Sequence, residues 1–197
     1  MTDYMARAIK LAQRAQGTTS PNPPVGAVLV KDGRVVGEGY TQPPGQAHAE
    51  VMAIRAAAEA ARGASLYVTL EPCSHHGRTP PCTEAICSAG ITEVHMAMLD
   101  ANPQVAGSGR RGLDAAHVQT FLEERHRRAA AELCEAHAKF MRTGRPFVTA
   151  KFAASLDGKI ATRSGHSRWI TGAPARAYAH RVRAASDAII VGINTVL

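Results

Sequence analysis

Apolar positions recur at helical spacing from the start of the chain, and Thr2 or Asp3 is placed to cap a helix that runs to Gln16 and stops at Gly17. TTSPNPP then has no period and reads as a Pro-rich loop. VGAVLV and RVVGEGY, joined through KDG, predict a β-hairpin with its tight turn at Asp32-Gly33. HAEVMAIRAAAEAAR is Ala-rich with helically spaced apolar residues, which predicts a helix from His48 to Arg62 ended by Gly63. SLYVTL has strand character and leaves Glu71, Pro72 and Cys73 just past a strand end. Pro80 and Pro81 pre-set the first turn of a helix from Cys82 to Ser88, and EVHMAML is a further strand. The alternation favours a largely parallel sheet with helices on its faces.

Past Asp100 the pattern gives a Gly/Arg loop, a short helix near Leu113 and a long charged helix from about Leu122 to Met141. RTGRP is the clearest linker, which divides the chain into domains of residues 1–144 and 145–197. FVTAKFAASLDGKIA predicts a strand and a turn, and AIIVGI another strand. The second segment is too short to enclose an independent nucleotide-binding core, so it is expected to be the truncated start of a domain.

No run approaches the about 18 apolar residues of a membrane helix, and the N-terminus is amphipathic with an early acid, so a cytoplasmic protein is expected. Cys73, Cys82, Cys87 and Cys134 are then thiols for metal or packing rather than disulfides, Cys87 and Cys134 being expected as buried structural thiols. The net charge is +7, all of it after residue 98. A solvated basic helix face around Arg125 to Arg128 accounts for it, and so does attraction of phosphate groups. Nucleic acid is not the expected partner, because aromatic residues make up 5% of the chain and do not interleave with the basic ones.

Within the neutral half, His48-Ala49-Glu50 at a helix start lets an imidazole face a metal while a carboxylate reaches the water beside it. Cys73 follows a strand, and Cys82 opens a helix whose dipole favours thiolate. Three such ligands with one open position describe a catalytic zinc site, one ion per site. HxE followed by PCxxC is the signature of zinc nucleobase deaminases, but here the second Cys lies nine positions after the first, in PCSHHGRTPPC.

SPNPPVGAVLVKDGRVVGEGY, HAEV and LYVTLEPCSHHGRTPPC together closely resemble the deaminase half of the bifunctional riboflavin-biosynthesis deaminase/reductases. DANPQVAGSGRRGL and RPFVTAKFAASLDGKIATRSGHSRWIT extend the similarity into that family's reductase half. The resemblance implies a cytidine-deaminase-like α/β/α sandwich with a mixed sheet, followed by the truncated start of a dihydrofolate-reductase-like α/β domain. It implies deamination of 2,5-diamino-6-(5-phosphoribosylamino)pyrimidin-4(3H)-one, with His48, Cys73 and Cys82 as zinc ligands and Glu50 as acid/base. Asn22, His76 and Arg78 match segments of the substrate pocket, where Arg78 could pair with the phosphate. Asn22 could equally hold a Pro-flanked turn, and His75 and His76 could be plain loop residues. The family usually has His at the positions of Thr41 and Met52.

For the reductase half the resemblance implies NADPH, with Ala153, Trp169 and Thr195 toward the cofactor and Ser167 and Arg183 toward substrate. This second activity is expected to be lost in a truncated chain. Two other readings fit the same residues: a zinc deaminase of another base or nucleoside, and a catalytically dead zinc-stabilised binding module. Exposed strand edges and an unfinished domain point to self-association.

Overall fold

A computed structural model describes residues 2–103 and 105–196, with side chains described as far as Asn194. The chain forms two compact units, Met1–Phe147 and Val148–Leu197.

In the first unit α1 (Tyr4–Ala15) is capped by the Asp3 carboxylate, which accepts from the Ala6 amide at 2.9 Å. The hairpin of β1 (Gly26–Lys31) and β2 (Arg34–Tyr40) turns through Asp32 and Gly33, both at positive φ (50° and 71°), as a two-residue primed turn requires. Then follow α2 (Ala49–Ala57), β3 (Ser65–Val68), α3 (Cys82–Ser88), β4 (Glu93–Met96), α4 (Ser108–Ala115), β5 (Gln119–Leu122), α5 (Arg127–Leu133) and α6 (Glu135–Thr143). The sheet order is β2-β1-β3-β4-β5. β1 runs antiparallel to both β2 and β3, whereas β3, β4 and β5 are parallel, so the sheet is mixed rather than largely parallel.

Alternation on β1 sends Ala27 and Leu29 to one face and Val28 and Val30 to the other. The first face packs Leu66, Val68, Val94 and Met96 against Ala49, Ala53 and Ala57 of α2, Ile86 of α3 and Leu113 of α4. The second packs against Met5, Ala8, Ile9 and Leu11 of α1 and Ala130 of α5. Helices therefore cover both faces, in an α/β/α sandwich.

The approach of α2 to the sheet is unusually close. A Cβ at Gly37 would lie 2.2 Å from the Ala53 carbonyl oxygen, and one at Gly39 would lie 2.3 Å from that of Ala49. Glycines on β2 facing a row of alanines on α2 thus fix where the first turn of this helix sits.

Two expected helices need correction. The helix from His48 to Arg62 is α2 plus a separate 3-10 turn, Ala58–Ala61, because the backbone at Ala58 swings to φ 47°. Alanine favours helix along this whole stretch, so propensity carries no mark of the break. The long charged helix expected from Leu122 is instead the last residue of β5, a short 3-10 turn, α5 and α6, with the last two separated at Cys134. Here pairing of β5 with β4 overrides the helical reading of its end.

In the second unit FVTAKF and AIIVGI form no strands among the described residues. A strand exists by pairing, and neither run finds a partner there. The turn is formed: the Ser155 amide donates to the Lys159 carbonyl at 2.9 Å, with Gly158 at φ 79°. Two helices follow, α7 (Ala173–Ala184) and α8 (Ile193–Val196). No described residue of 148–194 is buried.

Candidate metal centre

Four side chains from three local structures converge on one point. His48 is the N-cap of α2, with extended backbone (φ −74°, ψ 166°), so its ring leaves the helix end. Glu50, in the first turn, is 4% exposed. Cys73 lies in the segment that joins β3 to α3, and Cys82 is the first residue of α3. The Nδ1 atom of His48 lies 3.3 Å from the Cys82 sulfur and 3.6 Å from that of Cys73. The Cys82 amide donates to the Cys73 sulfur at 3.3 Å, and the Thr83 amide donates to the Cys73 carbonyl at 3.2 Å.

Burial pushes the Glu50 carboxyl up to about 7, with a contribution from the nearby Cys73 thiolate. Hydrogen bonding from the Cys82 thiol holds Cys73 well below the usual thiol range, and the same bond pushes Cys82 up. Hydrogen bonding to Cys73 raises His48.

The three donor atoms all lie within 4.8 Å of one another, and both cysteines are free thiols. Tetrahedral zinc with Zn–S about 2.3 Å and Zn–N about 2.0 Å puts neighbouring donors about 3.5–3.8 Å apart. The spacing and the softness of the donor set fit that ion.

The other predicted residues have settings of their own. Asn22 is half-buried in the loop after α1, its amide donating to the Thr19 carbonyl at 2.8 Å. His76 and Arg78 are exposed, and His76 faces Glu84 at 3.5 Å. Thr41 is buried, its hydroxyl accepting from the Val25 amide at 3.1 Å, so it fastens the end of the hairpin. Met52 is half-buried, close enough to β2 that a Cβ at Gly39 would meet its own Cβ at 2.5 Å. Cys134 is buried and Cys87 exposed, so only the first packs in the core.

In the second unit Ser167 and Arg183 are exposed and Ala153 half-buried, and the Arg176 guanidinium lies 4.3 Å from the centre of the exposed Trp169 ring. Thr195 belongs to α8, and its side chain lies outside the described residues. The basic face around Arg125 to Arg128 is exposed and partnered by acids: Arg125 with Asp3, Arg127 with Glu124 and Arg128 with Glu132.

One buried acid went unassigned in the sequence. Glu71 is 5% exposed, beside Cys73, and its carboxylate accepts from the amides of Asp100, Gly107 and Arg110 at 2.9 to 3.0 Å. Its place in Glu-Pro-Cys drew attention to the cysteine; a charged residue straight after an apolar strand was the available signal.

Residues 1–98 match the family model of the cytidine and deoxycytidylate deaminase zinc-binding region, and residues 146–197 match that of the RibD C-terminal domain. The riboflavin biosynthesis protein RibD of Escherichia coli (strain K12) is 52% identical over 199 residues, covering 98% of this chain and 53% of the relative. The chain belongs to the RibD family. Among solved RibD structures, that from Acinetobacter baumannii (form 1) superposes with a TM-score of 0.88 at 49% identity, over 98% of this chain and 54% of that one. A Thermotoga maritima structure named as a diaminohydroxyphosphoribosylaminopyrimidine deaminase/5-amino-6-(5-phosphoribosylamino)uracil reductase superposes at 0.83, with 45% identity, over 91% of this chain and 52% of that one. The chain spans about half the length of the curated RibD relatives it matches. Among its described residues no helix is long and apolar enough to cross a membrane.

Proposed function

We propose that this chain hydrolytically deaminates 2,5-diamino-6-(5-phosphoribosylamino)pyrimidin-4(3H)-one to 5-amino-6-(5-phosphoribosylamino)uracil and ammonia. The observation that carries this reading is the His48, Cys73 and Cys82 group with Glu50 buried beside it. His48, Cys73 and Cys82 would hold a zinc ion, which would supply the Lewis acidity that activates water at neutral pH. Glu50 takes a proton from the attacking water and passes it to the ring nitrogen of the amidine as the C–O bond forms; it then takes the remaining proton of the added hydroxyl and delivers it to the amine, so that the C–N bond breaks, the carbonyl forms and ammonia leaves. Its burial keeps bulk water from competing for that proton. The loop after Cys73, with exposed His76 and Arg78, offers an imidazole and a guanidinium to the substrate, the guanidinium suiting its phosphate.

No described residue of 148–194 is buried, which favours the reading that this unit does not hold NADPH by itself. We therefore assign ribosyl reduction with NADPH no place in this chain's activity. Ammonia release from the phosphorylated diaminopyrimidinone tests the first assignment, and oxidation of NADPH with the deaminated product tests the second. Absence of ammonia from zinc-loaded protein overturns the one, and steady NADPH turnover overturns the other.

A further inference from the structure

Glu71 is buried, charged and untouched by the proton chemistry above, yet it organises the ground beneath one metal ligand. Its Oε2 accepts from the amides of Asp100 (3.0 Å) and Gly107 (2.9 Å), and its Oε1 from that of Arg110 (3.0 Å). Its own amide donates to the Met98 carbonyl at 2.9 Å. Gly107 is the N-cap of α4, at φ 76°, and offers no capping side chain, so a carboxylate from a distant segment satisfies this helix end. The approach is at backbone contact: a Cβ at Gly109 would lie 2.0 Å from the Pro72 carbonyl oxygen. One residue further, the Ser74 and Ser108 hydroxyls meet at 2.8 Å. Contacts at residues 71, 72 and 74 thus bracket Cys73.

We propose that Glu71 is a positioning residue for the metal group: its carboxylate clasps the loop after β4 and the N-terminus of α4 onto Glu71-Pro72-Cys73 and so sets the place of the Cys73 sulfur. The inference rests on the metal reading of His48, Cys73 and Cys82. Partners that orient a ligand from behind typically change metal affinity about 10- to 100-fold when removed. A glutamine keeps the shape but turns one acceptor into a donor facing N–H groups.

The test uses the full chain loaded with cobalt(II), whose thiolate charge-transfer absorption reports sulfur ligation, and follows cobalt release into a chelator at a temperature where circular dichroism shows each variant folded. Glu71→Gln should release cobalt about 10- to 100-fold faster than wild type, with an altered thiolate band, and Glu71→Asp should fall between them. Gly109→Ala should share the defect. Gly112→Ala, on the same helix with nothing within 4 Å of its Cβ, should match wild type. If Glu71→Gln does not fold, the two glycine variants decide. Folded Glu71→Gln or Gly109→Ala with wild-type release and spectrum overturns the proposal, as does equal loss in Gly112→Ala. A wild-type chain that takes up no cobalt overturns the metal reading with it; uptake with unaffected variants overturns the role of Glu71 alone.

Discussion

α1 and α7 are both twelve residues long and both rich in alanine and arginine, yet they live in different worlds. α1 buries Met5, Ala8, Ile9, Leu11, Ala12 and Ala15 and is capped by Asp3; α7 buries nothing and starts at Gly172 without a side-chain cap. The apolar runs repeat the contrast. Val28 in GAVLVK is fully buried between two paired strands, whereas Ile190 in AIIVGI is 98% exposed. An apolar run states a need for a partner, and only in the first unit do the described residues meet it. Chemistry follows burial: the unit with a core is the one that can hold Glu50 and two thiols at fixed distances.

The largest test of this contrast is chemical. Glu50→Gln should lower ammonia release by about 10²- to 10⁴-fold while the protein still binds one zinc per chain, measured by metal analysis of the folded variant. Substitution of Ser167 or Arg183, in the unit without a core, should leave ammonia release near wild type. A comparable loss there would mean that the second unit shares the deaminase site and would break the contrast.

Next in size is stability. Leu66→Ala, at 0% exposure in the sheet, should cost about 2–5 kcal/mol in urea unfolding. Ile190→Ala should stay within about 0.5 kcal/mol, as exposed substitutions do. If Ile190→Ala costs as much as Leu66→Ala, the run AIIVGI has a packing partner in solution.

The same contrast explains what could be read from the chain. The metal group was legible because His48, Cys73 and Cys82 have few other reasons to recur beside element ends, and the hairpin because Asp32-Gly33 accepts positive φ. β5 was not: Gln119–Leu122 is short, half-exposed and followed by a charged run, so only its pairing with β4 makes it a strand. The break at Ala58 leaves no trace among alanines. Glu71 was invisible as an anchor because its three partners are backbone amides 29 to 39 residues away, and amides carry no sequence signal. FVTAKF and AIIVGI were over-read, since pattern alone does not supply a neighbour.

A pH experiment sharpens the account of Glu50. In metal-free protein its carboxyl is raised from 4.5 to about 7. The folded state therefore keeps a proton that the unfolded chain has lost, so this group's contribution is fully present below about pH 4.5 and is lost as pH rises through 7. Glu50→Gln stays neutral and escapes that loss. At about pH 8 the metal-free variant should be more stable than metal-free wild type by on the order of 3 kcal/mol, and the gap should close by about pH 4.5. Urea midpoints across this range decide it; a gap that does not vary with pH would show that burial of the charge is not its source.

The smallest effects lie at the two helix starts. Asp3 accepts from the Ala6 amide and also faces His126 Nε2 at 3.1 Å, so it joins the start of α1 to the turn before α5. Asp3→Ala should cost about 1 kcal/mol of the stability of the first unit, as loss of an N-cap does. Gly172→Asp supplies the missing acceptor at α7, and the change from glycine at a cap is worth only a few tenths of a kcal/mol. Because α7 buries nothing, that gain should raise local amide protection in α7 without moving the unfolding transition reported by α1. Hydrogen exchange resolved by helix separates the two: protection confined to α7 keeps the contrast between a helix held by a core and one held by its own hydrogen bonds, and a matching rise in α1 erases it.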